Sequence, residues 1–227
     1  MPSALVTGGS SGIGLAIARA LGEDGYSLTL AARNADRLDS AAEELGAVAI
    51  ATDVSKEEDC VALVAAHAEA HDGGLDVLVC SAGVGIAGTV GSTTTKQFDV
   101  QQAVNLRGAF LVTREALPML RASRGYVVNL ASIAGTIPTP GLSSYGAAKA
   151  ALIALTRSLA REEAEHGVRA TALCPGFVDT PMAEWTGLEG DQLIQPEDCA
   201  ELVRALLRLS PSARVPVVVI ERSGEAV

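Results

Sequence analysis

The stretch Leu5-Val6-Thr7-Gly8-Gly9-Ser10-Ser11-Gly12-Ile13-Gly14-Leu15-Ala16 decides the fold. A short apolar run turns through glycines into Leu15–Leu21, where apolar residues fall on more than one side of a helix. Such a strand-to-helix turn brings backbone N–H groups and the positive helix end against a phosphate. Side chains at the glycine positions would hold a pyrophosphate away from the backbone. The spacing is G-x-x-x-G-x-G, not the commoner G-x-G-x-x-G. Glycine-rich turns are frequent in loops; the position of this one, between a first strand and a first helix, makes it a nucleotide-binding signal.

Further along, apolar strand patterns fall near 26–32, 47–51, 75–80, 125–131, 168–174 and 215–220, after a first near 3–7. Helical patterns lie between them near 12–23, 34–45, 56–71, 96–121, 144–165 and 197–209. Strands alternating with helices of this length imply right-handed crossovers and an α/β doubly wound parallel sheet, three layers thick. Ligands bind such sheets at the carboxyl ends of the strands. That rule gathers Thr7–Gly14, Asp53, Ser81–Gly83, Ser132 and Pro175–Thr180 along one rim.

The 227 residues, 48% hydrophobic, suit one domain over 1–227. With aromatics at 3%, the core must be built from Ala, Val, Leu and Ile. A net charge of 17 − 27 = −10 argues against nucleic-acid or anionic-membrane partners. No segment reads as a signal peptide or membrane span, so a cytoplasmic protein is expected. Cys60, Cys80, Cys174 and Cys199 are scattered and read as buried free thiols. His67 and His71 lack a third ligand and read as surface residues of one acidic helix; no metal site is expected.

Tyr145 and Lys149 stand at i and i+4 in Ser-Ser-Tyr-Gly-Ala-Ala-Lys, on one face of a helix. A nearby ammonium favours the phenolate and lowers its pKa. Ser132, upstream on a separate loop, is placed to hold the oxygen that the tyrosine protonates. Alone, Y-x-x-x-K is most often a tyrosine and an exposed lysine. A nucleotide turn in the same chain gives the pair a use.

These residues resemble the short-chain dehydrogenases/reductases of the single-domain type, similar to 3-oxoacyl-ACP reductase-like members, from Thr7 to about Thr180. The resemblance implies a Rossmann fold and an NAD(P)-dependent oxidoreductase acting on a small-molecule carbonyl or alcohol. It implies a catalytic tetrad of Asn105, Ser132, Tyr145 and Lys149, with Asn105 supporting a water beside the lysine. Cofactor contacts would come from Thr7, Gly8, Ser10, Ser11, Gly12, Ile13 and Gly14. Asp53 and Val54 would touch the adenine, and Ser81, Ala82 and Gly83 would let cofactor pass over a strand end. Tyr145 and Lys149 would also face the cofactor, and Pro175, Gly176, Val178 and Thr180 would hold its carboxamide. The fourth strand ends Cys80-Ser81-Ala82-Gly83 where the family has Asn-Asn-Ala-Gly, which leaves the first asparagine's hydrogen bonds unassigned. The C-terminus is also short of a glycine-rich tail.

NAD-specific sites carry an acid at the end of the second strand. Here the strand ends Ala31-Ala32-Arg33-Asn34, and an arginine there suits a 2′-phosphate, which favours NADP(H) with NAD(H) possible. Ser10 and Asn34 can add neutral hydrogen bonds; a solvated arginine opening the next helix is the plainer reading. A substrate lid is expected near 179–195, with Met182, Trp185 and Leu188 as its apolar residues. Residues near 84–90 and 133–142 would share the pocket. The rival functions are a hydroxyl dehydrogenase running oxidatively with NAD and a non-catalytic NADP-binding regulator. The family further implies a homodimer or homotetramer, packed through helices near 98–121 and 145–160.

Overall fold

A computed structural model describes residues 1–223, apart from the Trp185 side chain. The expectation that Trp185 helps form a lid therefore lies outside the described residues, as does the end of the C-terminal tail.

Seven strands pair, all parallel, in the order β3-β2-β1-β4-β5-β6-β7. They run Ser3–Thr7 (β1), Ser27–Ala32 (β2), Val48–Ala51 (β3), Val77–Cys80 (β4), Tyr126–Leu130 (β5), Arg169–Pro175 (β6) and Val217–Ile220 (β7). Every residue of β1, β4 and β5 is buried, as expected of strands covered on both faces. The edge strands β3 and β7 are partly exposed.

Helices α1 (Gly12–Glu23), α2 (Ala35–Leu45) and α7 (Pro196–Arg208) pack Ile17, Leu21, Leu38 and Val203 on one face of the sheet. Helices α3 (Glu57–Ala70), α5 (Ala109–Ser123) and α6 (Ser143–Glu162) pack Leu63, Leu111, Leu120 and Leu159 on the other. Each fully buried leucine contributes about 1.5–3 kcal/mol. The chain reverses winding direction between β1 and β4, so the carboxyl ends of those two strands open a crevice.

Two expectations need correction. The single helix expected over 96–121 is three pieces: α4 (Thr95–Gln102), a π-helical turn over Ala103–Gly108, and α5. Apolar spacing cannot reveal one extra residue per turn, and such turns recur at functional sites. Gly108 lets the turn lie against Val54, because a Cβ there would come within 2.9 Å of Val54 Cβ.

The histidines are not both on the surface. His67 is fully buried, and His71 is half-buried beside it with ring centroids 4.5 Å apart. His67 Nε2 donates to Gly74 O at 3.0 Å, so its Nδ1 accepts from Thr29 Oγ1 at 2.9 Å. Thr29 Oγ1 in turn accepts from His71 Nε2 at 2.8 Å. Thr29 is a hydroxyl sealed inside β2, and a buried polar group requires a partner. Burial pushes His67 down to about 4. The four cysteines are free and buried, as expected.

Candidate active site

The turn after β1 is shaped by glycines that side chains could not replace. Gly8 and Gly12 have φ of 69° and 53°, the left-handed region. A Cβ at Gly8 would stand 2.7 Å from Ala82 N, and one at Gly14 would stand 2.4 Å from Gly8 O. Behind them Thr7 is buried, its hydroxyl accepting from the Ala82 N–H at 3.3 Å and tying β1 to β4. Helix α1 begins at Gly12 with no acid in its first turn and no side-chain cap from Ser11. Its first N–H groups and positive end therefore remain open to an anion.

Beside this turn lies a hollow of about 230 Å³ lined by Gly8, Ser10, Ser11, Arg33, Arg37 and Asp53, with Val54, Ala82 and Gly83. The glycine cradle and the helix end fit a dinucleotide pyrophosphate. Arg37 is not singled out by the sequence; it stands in the first turn of α2, whereas Arg33 precedes the helix at the end of β2. Asn34 N-caps α2, its Oδ1 accepting from Arg37 N at 2.9 Å, so that oxygen is already engaged. Asp53 accepts from Ser55 N at 3.0 Å and Ser55 Oγ at 2.7 Å. Those bonds first, and Arg33 and Lys56 less strongly, hold its carboxyl below the ordinary value.

A second cavity, of about 670 Å³, adjoins the first at Gly83. Ser132, Tyr145 and Lys149 stand in its wall with Ile13, Ser81 and Pro175, Gly176, Val178 and Thr180. Ser132 follows β5 and hydrogen-bonds Tyr145, while Tyr145 and Lys149 share one face of α6. Burial pushes the Tyr145 phenol above its ordinary value, and the Ser132 bond offsets part of that. The expected lowering by Lys149 is not present in this structure. Its Nζ lies 5.6 Å from the Tyr145 ring centroid and donates to Leu130 O at 2.6 Å. Burial also holds Lys149 itself down to about 8.

Asn105, in the π turn, comes to the same rim. Its side chain holds backbone: Nδ2 donates to Val84 O at 2.8 Å and Oδ1 accepts from Val84 N at 2.9 Å. Its Oδ1 also lies 3.2 Å from where a Cβ on Gly83 would stand. Gln101 extends this clasp, accepting from Ile86 N at 3.0 Å. At the departure from the family's asparagine, the Cys80 thiol is buried 3.9 Å from Thr113 Oγ1 of α5. Burial pushes Cys80 up to about 12 and Cys174 up to about 11, which keeps both as inert thiols.

The rest of the large cavity is mostly apolar: Ile86, Ala87, Ile137, Pro138, Leu142, Phe177 and Met182, with Thr139 among them. Both loops expected to contribute, near 84–90 and 133–142, do so. The segment after Thr180 forms 3₁₀ turns at Pro181–Thr186 and Gly190–Gln192. Met182 from it lines the cavity while 44% exposed, and Leu188 is half-buried outside the lining. Among the described residues Lys149 is the one charged group in that lining.

This geometry agrees with what is known of similar proteins. A family model described as short chain dehydrogenase matches residues 2–189. The 2-(R)-hydroxypropyl-CoM dehydrogenase of Xanthobacter autotrophicus is 41% identical over 206 residues, 86% of this chain and 79% of that one. An alcohol dehydrogenase from the archaeon Thermococcus sibiricus, solved with 5-hydroxy-NADP, superposes with a TM-score of 0.91 at 33% identity, covering 99% and 97% of the two chains. A 3-ketoacyl-(acyl-carrier-protein) reductase from Brucella melitensis, solved with NADH, superposes at 0.88 with 29% identity, covering 97% and 96%. Among the described residues no helix is long and apolar enough to cross a membrane. Matched over most of its length and carrying the cradle and the cavity in one rim, the chain belongs to the short-chain dehydrogenase family of oxidoreductases.

Proposed function

We propose that the chain reduces an uncharged, apolar ketone or aldehyde to an alcohol with NADPH. The observation that supports this best is the meeting of two cavities at Gly83, one polar and bearing two arginines, the other apolar and bearing Tyr145. Arg33, Arg37 and the Gly8–Gly14 turn would hold the adenosine and phosphate end of NADPH, and Ile13, Gly176, Val178 and Thr180 its nicotinamide end, where the cofactor would supply a hydride. Tyr145 supplies the proton to the carbonyl oxygen as a general acid, and takes it back in the reverse direction. Ser132 orients that oxygen and stabilises the charge that develops on it. Lys149 keeps a positive charge at the base of the site, anchored on Leu130 O. Asn105 fixes the loop that separates the two cavities by clasping Val84.

The substrate class follows from the lining. Part of the cavity of about 670 Å³, beside Ile13, Gly176, Val178 and Thr180, would take the nicotinamide end, and the apolar remainder would take a hydrophobic or acyl-chain ligand. Among the described residues its one cation is itself part of the proton-transfer group, which leaves no partner for a charged substrate tail. A 3-oxoacyl thioester whose acyl end enters the cavity meets this description, as do hydrophobic ketones.

The cofactor preference rests on Arg33 and Arg37, both exposed at the polar cavity with no acid at the end of β2. Charge-assisted hydrogen bonds contribute about 1.5–3 kcal/mol each, which solvent screening reduces to about 1 kcal/mol at these exposed arginines. Arg33→Ala/Arg37→Ala should raise KM for NADPH by roughly 10- to 100-fold and leave that for NADH nearly unchanged. Steady-state rates against a panel of apolar ketones and 3-oxoacyl thioesters, with each cofactor, test the whole reading. A wild-type enzyme that prefers NADH, or a double variant that loses both cofactors equally, would overturn the arginine assignment.

Self-association belongs to the same reading. Phe110 of α5 is 44% exposed, and Ala147, Ala150 and Ala154 of α6 lie on the surface, a small-residue face suited to a two-fold contact. Sedimentation giving a monomer at micromolar concentration would exclude it.

A further inference from the structure

Tyr145 is carried by a helix start that does not cap itself. Helix α6 begins at Ser143, and its N-cap Leu142 makes no side-chain hydrogen bond to the first turn. The opening turn of a helix leaves N–H groups without intrahelical partners and frays readily. Tyr145 is the third residue of α6, so fraying there would move the phenol itself.

The turn is held from outside, by α4. Gln101, in the last turn of α4, is fully buried. Its Nε2 donates to Ser144 Oγ at 3.0 Å and to Gln97 O at 3.3 Å, and its Oε1 accepts from Ile86 N at 3.0 Å. Ile86 N can only donate and Gln97 O can only accept, so these partners fix which way the amide points. Beside it Gln102 Nε2 donates to Ser144 O at 3.2 Å. The other end of α4 is braced by a capping box, Gln97 N donating to Thr94 Oγ1 at 3.2 Å and Thr94 N to Gln97 Oε1 at 2.9 Å.

Gln101 thereby spans two walls of the substrate cavity. Ile86 lines it from the loop after β4, and Tyr145 lines it from α6, one residue beyond Ser144. Gly88 N donates to Gly141 O at 2.7 Å, a second link between that loop and the approach to α6. Asn105 holds the same loop two residues before Ile86, at Val84.

We propose that Gln101 is a positioning residue: acting through Ser144 and Ile86, it fixes the Tyr145 hydroxyl against the wall on which the substrate rests. The inference rests on Tyr145 as proton donor and on the apolar cavity as substrate site. Misplacing a reacting group by about 1 Å can cost roughly 10²-fold in rate, so one lost clasp is enough to matter. A glutamine kept only to fill its space would be replaced best by methionine, apolar and similar in length. A glutamine kept as a bridge would be replaced best by glutamate, which can accept from Ile86 N and share a hydrogen with Ser144 Oγ in either protonation state. Burying that acid lowers stability, so the two roles rank the variants in opposite order.

The test measures steady-state rates and thermal melts of wild type, Gln101→Met and Gln101→Glu, with 2-octanone and NADPH or with 2-octanol and NADP⁺. Gln101→Met should lower kcat by roughly 10- to 100-fold and leave KM within about threefold. Gln101→Glu should stay within about fivefold of the wild-type kcat while melting at the lower temperature of the two. Ser144→Ala should lower kcat as well, and combined with Gln101→Met it should cost no more than Gln101→Met alone. Tyr145 gives a readout that needs no substrate. Burial raises its phenol, so a looser first turn should let it ionise at lower pH in Gln101→Met and not in Gln101→Glu. Near-ultraviolet absorbance against pH follows this, with the spectrum of the same chain carrying Tyr145→Phe subtracted. The proposal is overturned if Gln101→Met keeps the wild-type kcat, if kcat follows the order of melting, or if the double variant multiplies the two single losses. It is equally overturned if Tyr145 titrates alike in all three proteins. A wild type inactive on both compounds, or an active Tyr145→Phe, counts against the proposed function instead, and the titration still decides Gln101.

Discussion

Replacing Lys149 by methionine should abolish turnover and leave the protein at least as stable at neutral pH. The ammonium is buried, with a backbone carbonyl as its hydrogen-bond partner and no carboxylate within salt-bridge reach among the described residues. Burial lowers its pKa from 10.5 to about 8. The sign follows from proton counting. Below about pH 8 both folded and unfolded chains carry the charge, and folding bears the full desolvation penalty. Between about 8 and 10.5 the unfolded chain holds one proton more, so wild-type stability climbs with pH by about 1.4 kcal/mol per unit. The total is about 2.5 units, or roughly 3 kcal/mol. Methionine, of similar length and uncharged, removes that penalty and loses one charged hydrogen bond worth about 1.5–3 kcal/mol. The variant should thus match or exceed wild type by up to about 2 kcal/mol at pH 7 and fall below it at pH 10. Urea melts of both proteins, followed by circular dichroism at half-unit steps from pH 6.5 to 10, give the difference directly. A difference that stays flat across that range would refute the idea that Lys149 is a strained, buried cation.

Tyr145→Phe should retain cofactor affinity and lose at least 10²-fold in kcat, the usual worth of a general acid; near-full activity in a single-turnover assay would remove Tyr145 from that role. Gly14→Ala drives a methyl to 2.4 Å from Gly8 O, so it should cost about 1–3 kcal/mol in denaturant melts and weaken NADPH binding in a fluorescence titration. Stability should fall as pH drops from 6.5 toward 4, because the unfolded chain gains a proton that buried His67 refuses. The loss should reach about 3 kcal/mol and be smaller in His67→Gln, measured as Tm against pH.

The architecture was legible because β1, β4 and β5 are short, mostly apolar runs and the Thr7–Gly14 turn falls where the first helix begins. The rim was legible for the same reason: once strands are parallel, Asp53, Ser132 and Pro175 have nowhere else to go. What escaped were features that depend on partners distant in sequence. His67 looks like one more residue of an acidic helix until Thr29, on a strand beneath, needs a hydrogen bond. The π turn at Asn105 leaves the apolar pattern nearly intact, so its shift in phase is invisible to periodicity. The sign of the Tyr145 shift depends on where the Lys149 side chain points, and helix spacing fixes only where it starts. Arg37 was readable in principle, in the first turn of the helix that follows β2.

The shared wall at Gly83 separates a cradle made largely of backbone from a cavity made largely of side chains. The two halves of the site therefore answer to mutation differently. Few substitutions are tolerated at Gly8, Gly12 or Gly14, because what they contribute is the absence of atoms. Ile86, Ile137 and Met182 contribute only shape, and each can be enlarged, trimmed or made polar without disturbing the strand ends behind it. Substrate preference can drift through those positions while the hydride chemistry stays fixed, so a redesign toward a bulkier or more polar ketone should begin there and leave the glycines untouched.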